Sequence, residues 1–138
     1  MIQRAQTLWL LLSLITGGLS FQFPFAVGET ATADTSTQLI LDGGSSLFIL
    51  LLTIFIQAIA LFTIFLFKNR KNQQWLCTLG IIASSLSLSL YLVEMKKMIQ
   101  PVPALTSLLV LAVLGGFIMA LVGIRRDEKL IKDQDKLR

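Results

Sequence analysis

Residues Gly43 to Phe67 read GGSSLFILLLTIFIQAIALFTIFLF, a stretch without a single charged side chain. A helix needs about 20 apolar residues, rising about 1.5 Å each, to cross a hydrocarbon core about 30 Å thick, and this stretch meets that length. Three more windows share the property: Ala5 to Gly28, Asn72 to Val93, and Met98 to Ile124. Together they occupy most of the 138 residues and leave too little chain for a separate soluble domain. A mean hydropathy of +0.76 agrees. The sequence predicts one all-α integral membrane domain, a bundle of four transmembrane helices running up and down over about residues 4–20, 45–67, 74–94 and 102–124.

Basic residues near the ends of spans resist translocation, whereas acidic ones count for little. Arg4, the link residues Lys68, Arg70 and Lys71, and the tail residues Arg125, Arg126, Lys129, Lys132, Lys136 and Arg138 all fall on one side of that bundle. Lys96 and Lys97 fall on the other, with Glu29, Asp34, Asp42 and Glu94. Both termini are therefore expected to be cytoplasmic. Trp9 and Trp75 near one boundary and Tyr91 near the other suit interfacial rings. A rival reading of the first window is a secretory signal, with Arg4, the run Leu8 to Ile15 and the small residues Ala31, Thr32 and Ala33 as its parts. The small residues lie far beyond the run, and cleavage would leave three spans in the same orientation.

Residues 21–44 form the first outer loop. Bulky residues at every second position from Phe21 to Val27, with Pro24 among them, argue for an extended segment. Thr35, Thr37, Leu39 and Leu41 alternate again before the turn signal Asp42, Gly43, Gly44. A short β-hairpin, its apolar side on the helix ends, is the expected structure; an irregular Thr-rich loop is the alternative. Pro101 and Pro103 read as the first turn of the fourth helix, where a missing donor does little harm.

Two helices carry narrow faces of small or polar residues. On the third, Cys77, Gly80, Ser84, Ser87 and Tyr91 recur at spacings of three and four; on the fourth, Ala112, Gly116, Ala120 and Gly123 do the same. Such faces let backbones approach closely, so helix packing is the expected role, with a hydrophilic path for a small solute as the sharper alternative for the serines. Whether the fourth helix packs on the third or on another subunit is left open by the sequence. Gln57, at the centre of the second window with Thr53 one turn back, is read as an interhelical hydrogen-bonding group.

Beyond the membrane, the fourth helix is expected to continue through the tail 125–138, with Asp127, Leu130, Gln134 and Leu137 on one face. Glu128 and Lys132 have the favourable helical order. Arg125 and Arg126 suit an anchor at anionic headgroups, and Leu130 and Leu137 a docking seam for a cytoplasmic partner. Nucleic acid is an unfavoured partner, since the tail mixes both signs of charge. The chain has no His and a single cysteine, Cys77, so no Cys/His metal cluster and no intramolecular disulfide can form. No acid or base lies inside a window, which argues against ion coupling and intramembrane catalysis. No cofactor and no enzymatic activity are expected.

At its two ends the chain resembles a family of short four-span inner-membrane proteins of Bacteroidota known only as a domain of unknown function. The matching residues are Met1, Ile2, Gln3, Arg4, Ala5, Gln6, Thr7, Leu8, Trp9 and Leu10, then Arg126 to Lys132 and Asp135 to Arg138. The family pattern has Ser where Asp133 stands and Arg where Lys136 stands, so a docking role that needs either does not carry over. The resemblance implies the inner membrane and no activity. The expected function is a small structural or accessory subunit of an inner-membrane assembly, meeting a membrane-protein partner or a second copy through helix four. The alternative is a small oligomeric transporter or channel lined by the serine face.

Overall fold

The computed structural model describes residues 3–30, 37–66 and 69–136. Among them the order is α1 (Gln3–Leu19), β1 (Ala26–Thr30), β2 (Thr37–Leu41), α2 (Leu47–Phe65), α3 (Arg70–Lys96), β3 (Ile99–Pro103) and α4 (Ser107–Lys136). Each helix packs on the next, and α1 closes the ring against α4. The sidedness is the reverse of a water-soluble bundle. Ser13, Thr16, Thr53, Thr63, Ser84 and Ser87 are buried, while Leu51, Phe55, Phe62, Ile82, Leu86, Ile118 and Val122 face outward. Lipid tolerates such an exterior, and in lipid interior hydroxyls and small residues hold helices together.

Three helical segments, Leu47–Phe65, Arg70–Lys96 and Ser107–Ile131, are long and apolar enough to cross a membrane. That is the pattern of a membrane protein. The fourth expected span, α1, is shorter: its 17 residues reach about 25 Å, short of a full hydrocarbon core. Its apolar part, Ala5–Leu19, is shorter still.

The outer segment differs from expectation in a second way. Helix four does not start near residue 102. Residues Ile99–Pro103 form a strand, giving an antiparallel sheet in the order β2-β1-β3. Gln100 and Val102 each precede a proline, and the proline ring disfavours the helical region for the residue before it. Gln100 adopts φ 49°, beside the register shift between Val27 and Glu29. β3 is an edge strand, the position in a sheet where prolines are accommodated. α4 then begins at Ser107, through short-range bonds from Ser107 and Leu108 to the carbonyls of Ala104 and Leu105.

β1 and β2 pair from Ala26↔Leu41 to Thr30↔Thr37. Extended structure starts later than the alternation suggests, because Phe21, Gln22 and Phe23 turn back to bond Gly18 and Leu19. Leu39 and Leu41 do not share a covered face: Leu41 is buried and Leu39 is exposed. Thr35 and the small residues Ala31 to Ala33 lie outside the described residues. The sheet caps one end of the bundle through Phe25, Ala26, Leu41, Ile49, Tyr91, Met98 and Val110. Phe25 and Tyr91 stack with ring centroids 4.5 Å apart. A free hairpin is marginal in stability, and this core together with the third strand is what covers it.

Candidate functional site

The interior of the bundle is where the polar side chains meet, beginning with the seam between α1 and α4. A Cβ at Gly116 would overlap Ser13 Oγ and stand 2.8 Å from the carbonyl oxygen of Trp9. Ser13 Oγ donates to the carbonyls of Val113 and Trp9, both at 3.2 Å. A Cβ at Gly123 would lie 2.9 Å from Gln6 Cγ. Ala120 is fully buried in the main core and Ala112 is half-buried. The partner of the small-residue stripe is therefore helix one of the same chain. The Gly116 and Gly123 positions are thus filled from within the chain, by α1 and not by α3. On α3, Gly80 receives the ring of Phe117, whose Cζ would stand 2.8 Å from an added Cβ.

Gln57 crosses from α2 to α1. Its amide nitrogen donates to the Leu14 carbonyl at 3.1 Å and its oxygen accepts from the Gly18 N–H at 3.3 Å, the orientation that satisfies both ends. Those two backbone groups are an i, i+4 pair, so the side chain lies alongside one rung of the α1 ladder. Only glycine permits this approach, since a Cβ at Gly17 would come within 2.9 Å of Gln57 Cδ. Beside it lies a cavity of about 20 Å³ among Ser20, Thr53, Gln57, Ser84, Ser87 and Tyr91. Thr53 Oγ1 donates to the Ile49 carbonyl at 2.7 Å and also meets Tyr91. Ser84 Oγ turns back to the Ile81 carbonyl at 3.1 Å. The space suits one water molecule, which needs about 10–15 Å³ and two to four polar partners, and is too small for a larger solute.

Away from the sheet, the same interior ends in amides and charges. Gln6 donates to Asp127 Oδ2, Gln73 to the Thr63 carbonyl at 3.4 Å, and Gln74 to Glu128 at 2.6 Å. Asp127 is 7% exposed, and its Oδ1, like Arg70 Nη1, is buried without a hydrogen-bond partner in the structure. The sequence places Asp127 on the tail, on the face that continues the small-residue stripe. The structure buries it, and the signal was its spacing of seven from Ala120 and three from Ile124, both core residues. Arg125, Arg126 and Leu130 are exposed along α4, whereas Leu137 lies outside the described residues.

The sequence model of a domain of unknown function, DUF4293, matches residues 2–137. The chain belongs to that family. No curated protein and no solved structure matches it. The DUF4293 chain thus offers its interior for interpretation on physical grounds. Among the described residues no cluster of three His, Cys, Asp or Glu could hold a metal ion, and Cys77 is a buried thiol. What the arrangement can do is lock four helices together by hydroxyl, amide and glycine contacts. Ser87, buried at the cavity wall, is expected to tolerate alanine with a stability change below about 1 kcal/mol, since interhelical polar contacts average about 0.6 kcal/mol. Thermal melting of the Ser87→Ala protein in mild detergent checks this.

Proposed function

We propose that this protein is a structural or accessory subunit of a Bacteroidota inner-membrane assembly, crossing the bilayer four times with both termini cytoplasmic and performing no chemistry of its own. The observation that carries the reading is the narrow space left among the interior polar groups. The cavity among the serines holds about 20 Å³, and Phe117 sits on Gly80 one turn below Ser84. A chain so filled suits scaffolding better than conduction. The fourth crossing draws support from the α1–α4 seam, which begins at Gln6 and Asp127, passes Ser13 and Gly116, and reaches the Thr106 hydroxyl on the Pro24 carbonyl. α1 and the turn after it thus follow α4 from its start to Asp127, and a shorter helix can be accommodated by local thinning of the bilayer.

With the small-residue stripe occupied by α1, the contact surface for a partner moves to the α4 extension. There Leu130 and Ile131 stand exposed among Arg125, Arg126 and Lys129. A serine-lined transporter or channel is less favoured, because Ser84 and Ser87 face into a single bundle where an oligomeric pore would need them outside. Purification in mild detergent followed by mass spectrometry tests the proposal. A larger complex that Leu130→Asp dissolves is the expected result; a lone oligomer that renders liposomes permeable to a solute overturns it.

A further inference from the structure

Between α3 and α4, at the end capped by the sheet, an open groove of about 290 Å³ is lined by Phe25, Leu88, Leu92, Met95, Pro103 and Leu111, with Ser107 its polar lining residue. Leu92 and Leu111 are 43% and 46% exposed, so these two walls face the surroundings of the bundle, while Phe25 belongs to its core. The helices forming those walls are both long enough to cross a membrane. Hydrocarbon is what fills a concave apolar surface at that depth. The shape and apolar lining suit an acyl chain, and a polar solute would gain nothing there.

The headgroup is indicated by charge. Leu88 and Leu92 stand one helical turn apart, and Lys96 follows at the same i, i+4 spacing, placing it on the groove's own stripe one turn, about 5.4 Å, nearer the sheet end. Its neighbour Lys97 pairs with Glu94 at 2.8 Å. Lys96 is exposed, and its aliphatic stem can lie along apolar surface while the ammonium reaches the interface. These two lysines flank the sheet, whereas Arg70, Lys71, Arg125, Arg126 and Lys129 lie in the parts of α3 and α4 away from it. We propose that the groove binds one acyl chain of an anionic phospholipid, whose phosphate rests against Lys96.

The inference rests on the bundle crossing a bilayer with the sheet at one surface. Native mass spectrometry of the full chain, released from nanodiscs of equal phosphatidylglycerol and phosphatidylcholine with identical chains, reads it directly. Wild type is expected to retain phosphatidylglycerol about fivefold over phosphatidylcholine, the ratio one basic residue at a membrane surface provides. Lys96→Gln is expected to abolish the preference while keeping one bound lipid. Leu92→Trp, which fills the groove, is expected to reduce retention of both lipids, with Leu111→Phe as a second filling variant should the first not fold. Ile82→Trp, on another exposed face of α3, is the control expected to retain lipid as wild type does. Equal retention of the two lipids by wild type overturns the proposal, as does a preference that survives Lys96→Gln or retention that survives both filling variants. Carbonate washing of membranes carrying wild type and Lys96→Gln tests the premise separately, since extraction of both would overturn the membrane placement itself.

Discussion

Replacing Gly116 with leucine is expected to force α1 away from α4 and to lower stability by about 3 kcal/mol or more, the upper range for overpacking a close-packed core. Two obstacles meet the new side chain at once. Ser13 Oγ would have to swing aside, breaking its bonds to Val113 and Trp9, and the Trp9 carbonyl, 2.8 Å from the new Cβ, belongs to the backbone and cannot move without its helix. Gly115 supplies the control. A Cβ there meets nothing within 4 Å, so Gly115→Leu is expected to leave stability unchanged or to raise it through better helix propensity. Melting of the two variants in one detergent, followed by the fluorescence of Trp9 on α1 with Trp75 replaced by Phe throughout, measures the difference. Equal tolerance at the two neighbouring glycines would remove the packing argument.

The same pair of glycines shows how far the sequence could be read. Helices α2, α3 and α4 are legible because a long charge-free apolar run fits little else. That small residues mark a contact face is legible too, since their spacing repeats each turn. The owner of the opposite surface is not legible, because nothing local to Gly116 names Ser13, about a hundred positions away along the chain. The third strand was hidden for a similar reason. Pro101 and Pro103 suit a helix start as well as an edge strand, and the pairing of Ala26 with Pro103 decides between them. The sequence places Asp127 on the face that continues the small-residue stripe, with its cover left open. Carboxylates usually seek water, and only the core assignment of Ala120 and Ile124, three to seven residues earlier, shows that its face turns inward. Periodicity fixes faces, and tertiary contact decides which of them are covered.

Gln57 tests whether the interior amide matters by its presence or by its chemistry. Gln57→Leu removes both hydrogen bonds to α1, yet the groups released, the Leu14 carbonyl and the Gly18 N–H, are the acceptor and donor that an α-helix joins to each other. Neither need remain orphaned, so the loss is expected to stay below about 1 kcal/mol, near the net worth of ordinary hydrogen bonds. Gln57→Glu keeps the size and can still accept from Gly18, but it turns an oxygen toward the Leu14 carbonyl and brings a charge to the middle of a spanning helix. Ionisable side chains at that depth cost about 2.5–3.5 kcal/mol on insertion scales, and the cavity of about 20 Å³ beside Gln57 has space for a single water, too little to hydrate a carboxylate. The isosteric change is thus expected to be the more damaging one, reversing the ranking that side-chain volume alone would give. Melting temperatures of the two variants in a common detergent decide it: a Gln57→Glu protein as stable as Gln57→Leu would mean that this amide is not enclosed against α1.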